Sequence, residues 1–316
     1  KVRRRNGLAE VRPAIAPGKF LVKRPLDVVQ IDHTRADITV VDELYREPIG
    51  RPYLTVVMDV ASRAVLAPVV TFDAPSAATV ALSLARSCAP KERWINELGL
   101  SVDWPMRGLP VSLHLDNASE FHSKALERGC AELGIELIYR PLGRPHFGGH
   151  IERLIGTLMS GLSTLPGATG SSVKDRKHRD PQGRATLTLR ELETWLALEI
   201  GERYHHAPHR GLSGATPYGS WQAEPPVALD PAVLSQIPFV FLPAKERRVR
   251  RDGVHFENVR YWHPAFSTWA IQRKMLLVRF DPRDISRLYA RGSKGEILEI
   301  PYADLRHPPI SIWELK

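Results

Sequence analysis

Three acidic residues stand out by the company they keep. Asp32 falls in Val28-Val29-Gln30-Ile31-Asp32-His33-Thr34, Asp116 in Leu113-His114-Leu115-Asp116-Asn117-Ala118-Ser119-Glu120-Phe121, and Glu152 in Gly148-Gly149-His150-Ile151-Glu152-Arg153. The first two each end a short apolar run; the third, separated from the second by thirty-five residues, opens an amphipathic helix. Singly, each has an ordinary explanation: a strand-end carboxylate, an Asp-Asn turn pair, and a first-turn glutamate favoured by the helix dipole. Together, on two neighbouring strands and a helix packed beside them, they converge. Convergent carboxylates repel, and at least one is pushed toward protonation unless cations lie between them. Two Mg²⁺ ions, with Mn²⁺ a possible substitute, remove that conflict and make a phosphoryl-transfer site with places left for phosphate oxygens and water.

The elements that must position these acids follow from hydrophobic period. Residues 1–24 are basic, carry Pro13 and Pro17, and read as an extended lead-in. A strand over 27–33 ends near Asp32, a polar insertion follows at 36–52, and residues 54–60 and 64–70 read as two strands joined at Ser62-Arg63. Ala77, Val80, Ala81, Leu84 and Cys88 share a helical face; Val111 to Leu115 is the strand that delivers Asp116. A helix over 119–133, a strand over 136–139, a loop from Pro141 to Gly149 and the Glu152 helix, with Ile151, Leu154, Ile155, Leu158 and Leu162 on one face, complete the unit. Beyond a Gly/Ser/Lys/Arg-rich stretch at 164–185, Thr188 and Glu191 form a capping box ahead of Leu192, Trp195, Leu196 and Ile200. A proline-marked linker leads to short β runs, with Asp252-Gly253 as a hairpin turn: a small barrel or sandwich. The resulting division is a lead-in at 1–24, an α/β domain at 25–222, a linker at 223–243 and a β-barrel domain at 244–316.

Composition narrows the partners. The net charge is +9, and it is clustered at Lys1 to Arg5, Lys174 to Arg179 and Lys245 to Arg251, which favours a polyanion over a merely solvated surface. No run of eighteen apolar residues would span a membrane. Cys88 and Cys130 lack a Cys-x-x-Cys context, fit apolar helix faces, and suit a reducing interior. The chain opens at Lys1 and reads as part of something longer.

A meander, a helix, a strand with an acid, a helix, a strand and a helix with an acid are the order of a ribonuclease H-like mixed five-stranded sheet flanked by helices. The three acidic stretches, with Tyr204-His205-His206-Ala207-Pro208-His209-Arg210-Gly211-Leu212 and Thr216-Pro217, resemble the DDE transposase and retroviral integrase superfamily, most of all the Mu-type bacterial transposases, over residues 25 to 222. The tail resembles their C-terminal barrel more weakly. The resemblance implies that Asp32, Asp116 and Glu152 are the catalytic, metal-binding carboxylates. It implies 3′-end cleavage of transposon DNA and strand transfer by transesterification, and assembly of several copies on paired DNA ends, with an AAA+ ATPase as a possible partner. The setting would be the bacterial cytoplasm, on the nucleoid. A nuclease without strand transfer, or a DNA-binding scaffold that has lost catalysis, are the rival readings.

Other residues are secondary. Asp59 reads as a structural residue near a turn and Glu120 as a helix-start carboxylate with a supporting role. His33, His114, His146 and His150 flank the acids, and a packing role suits His114 best. His205-His206-x-x-His209 reads as structural or DNA-contacting, not as a metal site. Integrases commonly carry a lysine or asparagine after the glutamate, but Ile155, Gly156 and Met159 stand here. DNA grip must come from elsewhere: Arg140, Arg144, His146 and Arg153 near the helix, Arg176 and Lys177 beyond it, and Arg247, Arg248 and Arg250 in the tail.

Overall fold

The structure, a computed structural model, describes residues 22–116, 123–140, 148–170, 180–272, 274–281, 284–307 and 310. Its centre is a five-stranded sheet in the order β5-β4-β1-β6-β7. Strand β1 (Val28–Arg35) is the middle strand. A short antiparallel pair, β2 (Val40–Val41) and β3 (Pro48–Gly50), lies within the expected insertion. Strands β4 (Tyr53–Asp59) and β5 (Val65–Thr71) form the meander with β1. Strands β6 (Ser112–Leu115) and β7 (Glu136–Tyr139) add in parallel on the other side. Runs such as Val56-Val57-Met58 and Leu113 are buried because helices cover the sheet.

Helix α1 (Ala77–Cys88) starts at Ser76, whose hydroxyl accepts from Thr79 N–H, and buries Val80, Leu84 and Cys88. A short α2 (Glu92–Glu97) carries Trp94 and buries Ile95. Helix α3 (Lys124–Leu133) ends on Gly134 in the left-handed region at φ +70°; the start expected for it at 119, with Glu120, lies outside the described residues. Helix α4 (Gly149–Leu162) carries Glu152 and buries Ile151, Leu154, Leu158 and Leu162. Helix α5 (Leu189–Leu198) begins on the expected Thr188–Glu191 capping box and widens into a π turn over Glu199–Tyr204.

That π turn anchors the β4–β5 hairpin. A register shift at Val57/Met58 leaves the backbone of Val65 to other partners. Val65 N–H donates to His205 Nε2 at 3.0 Å, and Val65 C=O accepts from Trp104 Nε1 at 2.9 Å. His205 stacks edge-on against Trp104 and is wholly buried. Tyr204 Oη donates to Arg63 C=O at 2.9 Å, holding a turn in which Arg63 sits at φ +63°.

The stretch expected as a linker is ordered and packed. Helix α6 (Pro217–Ala223) buries Trp221, and α7 (Pro231–Val240) starts on Asp230 as N-cap with Pro231 at the first helical position. Ile237 and Phe241 join the main core, and Phe241 lies where a side chain at Gly129 would be. Beyond it, β8 (Ala244–Arg248), β11 (Met275–Asp281), β12 (Asp284–Arg291) and β13 (Ile297–Pro301) make an antiparallel sheet in the order β13-β12-β11-β8. A ribbon of β9 (Val254–Phe256) and β10 (Val259–Tyr261), and α8 (Phe266–Ile271), complete a second core. The β9–β10 hairpin turns at Glu257-Asn258, both at positive φ, while the turn expected at Asp252-Gly253 is present one residue earlier, at Arg251-Asp252, closed by reciprocal backbone hydrogen bonds between Arg250 and Gly253. The two cores meet where Glu132 pairs with Arg279 at 2.5 Å and Arg291 at 3.1 Å. Among the described residues no helix is long and apolar enough to cross a membrane.

Two expectations follow. Phe241→Ala should lower stability by about 3–5 kcal/mol in denaturant unfolding, because the ring fills the α3–α7 contact. Burial takes His205 from 6.5 to about 3, with the charge of His206 adding to it. A base depressed on folding contributes stability that is complete above its unfolded pKa and is lost as pH falls through the folded one. Stability should therefore decline as pH drops from about 6.5 toward 3, His205 contributing about 1.4 kcal/mol per pH unit across that window. His205→Gln, which can still accept from Val65, should flatten that slope in unfolding curves taken across the window.

Candidate active site

The register of the parallel strands sets the site. Gln30 pairs with His114, and Leu115 with Tyr139. Two residues past the Gln30–His114 rung, Asp32 lies within electrostatic reach of Asp116, and Arg140, just past β7, donates its N–H to Leu115 C=O at 2.9 Å. Asp32 lies within β1, not at its end: the pairing with β4 runs on to Arg35, whereas the ladder with β6 stops at Gln30. The sheet therefore opens beside Asp32. Side chains alternate along a strand, so Gln30 and Asp32 share a face. Helix α4 crosses that face, where Ile151 N–H donates to Gln30 Oε1 at 3.3 Å. Glu152 is the next residue. Gly148, before the helix, leaves space that a Cβ would take from the Arg140 guanidinium and the Glu152 carboxylate.

Arg140 lies between the acids. Its Nη2 is 3.9 Å from Asp32 Oδ2 and its Nη1 is 3.9 Å from Glu152 Oε1. Asp32 is well covered, its side chain 18% exposed against 55% for Glu152. Burial raises the Asp32 pKa and Asp116 adds to the rise, while Arg140 and the His33 N–H, 2.8 Å from Oδ1, oppose it; burial wins. Arg140 is itself buried, and its Nε and Nη2 have no hydrogen-bond partner among the described residues. A buried guanidinium with unmet donors is expensive, and two carboxylates beyond hydrogen-bond range offset that only in part. Among the described residues no three His, Cys, Asp or Glu side chains are drawn together to metal distance. The donor chemistry nevertheless fits a hard divalent cation: three carboxylates, one buried and reluctant to ionise, with positive charge already placed between two of them.

The remaining candidates separate clearly. Asp59 is fully buried and accepts from Leu26 N, Ser62 N and Ser62 Oγ at 2.8, 2.7 and 2.6 Å, a turn-holding role. His114 is buried under the site, and burial with Arg140 nearby takes it to about 4. Arg140 is buried and faces the carboxylates instead of the open surface. His206 stacks on Tyr218, and Arg153 and His209 line a cleft beside α4. Arg247 and Arg248 lie on β8, with Arg247 over the Phe256 ring; Arg250 follows, exposed. Arg144, His146, Arg176 and Lys177 lie outside the described residues. The sequence reading overlooked Gln30 and Gly148. A lone amide in Val28-Val29-Gln30-Ile31, two residues from Asp32, was the available signal.

Fold and site together define a ribonuclease H-like core followed by an antiparallel sheet region. Residues 30–167 match the TnsB C-terminal domain family and residues 239–299 the Mu transposase C-terminal family. The chain is 28% identical over 267 residues to the transposase for transposon Tn552 of Staphylococcus aureus, covering 84% of this chain and 51% of that protein. It is 28% identical over 203 residues to the transposon Tn7 transposition protein TnsB of Escherichia coli, covering 62% of this chain and 29% of that one. The chain thus spans about half the length of the first relative and less of the second. An HTLV-2 integrase catalytic core domain in complex with magnesium overlays with a TM-score of 0.35 at 16% identity, over 64% of this chain and 97% of that one, a distant likeness. Over residues 30–167 and 239–299 the chain is thus similar to transposases of the Tn7 and Mu types.

If Arg140 is the counter-charge, Arg140→Gln should move the Asp32 titration to higher pH in carboxyl-carbon NMR. An unmoved midpoint would show that the guanidinium does not stabilise the carboxylate.

Proposed function

We propose that this chain is the catalytic and C-terminal part of a DNA transposase, with its catalytic domain at 25–222 and its C-terminal domain at 244–316. Its reaction is cleavage at the 3′ ends of transposon DNA followed by transesterification of those ends into target DNA. One observation carries the reading: Asp32 on β1 lies within electrostatic reach of Asp116, just past β6, and α4, which bears Glu152, is tied to the same face of β1 through Gln30. Asp32, Asp116 and Glu152 would hold two Mg²⁺ ions, with Mn²⁺ as a substitute, which when bound would activate a water or 3′-hydroxyl and offset charge on the leaving oxygen.

The chain's own residues prepare that site. Gln30 fixes α4 to β1, so that the glutamate is presented to the sheet. Gly148 leaves Glu152 room beside Arg140. Arg140 restrains the mutual repulsion of the carboxylates, keeping a buried Asp32 compatible with folding. Because carboxylates and not a covalent nucleophile are proposed, cleavage and joining can share one site. The match to Mu-type and Tn7-type proteins supports DNA as substrate and partner, several copies on paired ends, and an AAA+ ATPase as a possible regulator.

A strand-transfer assay with pre-cleaved ends and Mg²⁺ tests the reading. Joined product from the native chain should fall roughly a thousandfold or more in Asp116→Asn, the worth of several kcal/mol of transition-state stabilisation. Cleavage without joining would identify a nuclease, and DNA binding without either a scaffold.

A further inference from the structure

The face of α4 next to Glu152 is not the bare surface that Ile155, Gly156 and Met159 suggested. His150, Arg153, Leu154 and Thr157 form an i, i+3, i+4, i+7 stripe that lines one wall of a cleft of about 510 Å³. The opposite wall comes from elsewhere in the chain: Arg63 from the β4–β5 turn, and His209 and Arg210 from the segment after the π turn. Three arginines and two histidines thus line one cleft to which, among the described residues, no carboxylate contributes. The carboxylate that acts on Arg63 is Asp59, and its oxygens are taken up by Leu26 and Ser62.

Arg63 is the telling residue. Its Nε and Nη1 are buried, and among the described residues they have no hydrogen-bond partner and none of Arg63, Arg153 and Arg210 forms an ion pair. Its backbone is held in the left-handed region at φ +63° by Tyr204, a strained arrangement for a side chain of this size. His209 Nδ1 accepts from Gly211 N–H at 3.0 Å, leaving Nε2 as that ring's remaining polar atom. Thr157 adds a hydroxyl. Guanidinium donors with unmet hydrogen bonds, gathered without acids, are what a phosphate group satisfies.

We propose that this cleft seats a backbone phosphodiester of a DNA strand running along α4, one helical face away from Glu152. The proposal rests on the reading of the chain as acting on DNA. It supplies the grip that the α4 surface after Glu152 lacks. Arg63 contributes buried donors, and the exposed Arg153 and Arg210 meet the strand at the rim.

The test is equilibrium binding of a labelled mixed-sequence DNA duplex across a salt series, with a chelator present so that no chemistry is required. Arg63→Gln and Arg153→Gln should each weaken binding about tenfold, and each should lower the slope of log K against log salt by about 0.9, one phosphate contact apiece. Arg93→Gln, which removes an exposed arginine paired with Glu97, should change neither and controls for net charge. Arg153 is exposed, so its variant remains informative should Arg63→Gln prove unstable. Unchanged affinity and slope in Arg153→Gln and in a folded Arg63→Gln would overturn the proposal. So would stabilisation of the native chain by inorganic phosphate that Arg63→Gln abolishes while duplex affinity stays constant, which would mark a free-phosphate site. Failure of strand transfer with these binding effects intact would count against the transposase reading alone.

Discussion

Strand β1 is paired on both edges, antiparallel to β4 and parallel to β6, and that double pairing fixes nearly everything that matters for the site. A slip of one residue in the β1–β6 ladder would turn either Asp32 or Asp116 to the opposite face. The apolar residues around them forbid it, because Val29, Ile31, Leu113 and Leu115 would turn with them. Register is thus enforced by the core and used by the acids. The same face receives α4 through Gln30, so one strand sets the positions of all three carboxylates.

Burial creates the next demand. Asp32 is covered enough that its ionised form is disfavoured, and Asp116 worsens the balance. The chain meets this with Arg140, reached by extending β7 one residue past Tyr139. The guanidinium is held at a distance from both acids, and two of its nitrogens make no hydrogen bond among the described residues. A site so arranged is stable enough to fold and incomplete enough to favour further ligands.

Much of this was legible in the sequence. Period-two runs gave the strands around Asp32 and Asp116, and the Ile151–Leu162 stripe gave the Glu152 helix, because these patterns are local. The Thr188–Glu191 box was legible for the same reason. What escaped depends on contacts between distant residues. Arg140 reads as a surface base until the strands are laid side by side. Gln30 reads as an anomaly until α4 is docked on it. The 231–240 helix carried its own start signal in Asp230-Pro231, but the surrounding prolines obscured it. Asp252-Gly253 did mark a tight turn, closed between Arg250 and Gly253, but the paired β9–β10 ribbon turns at Glu257-Asn258, whose residues carry no such signal.

The clasp on Val65 also bears on how the chain comes to fold. The first hairpin of the sheet is finished by a histidine 140 residues further along. Contacts of such sequence separation are formed late and slow the reaction, since the intervening chain must be ordered before they can contribute. On a ribosome, β4 and β5 would emerge long before residue 205 and wait with the Val65 backbone unclasped. The edge beside Val65 would then be exposed during synthesis, and completion of the sheet would be timed by the arrival of the π turn.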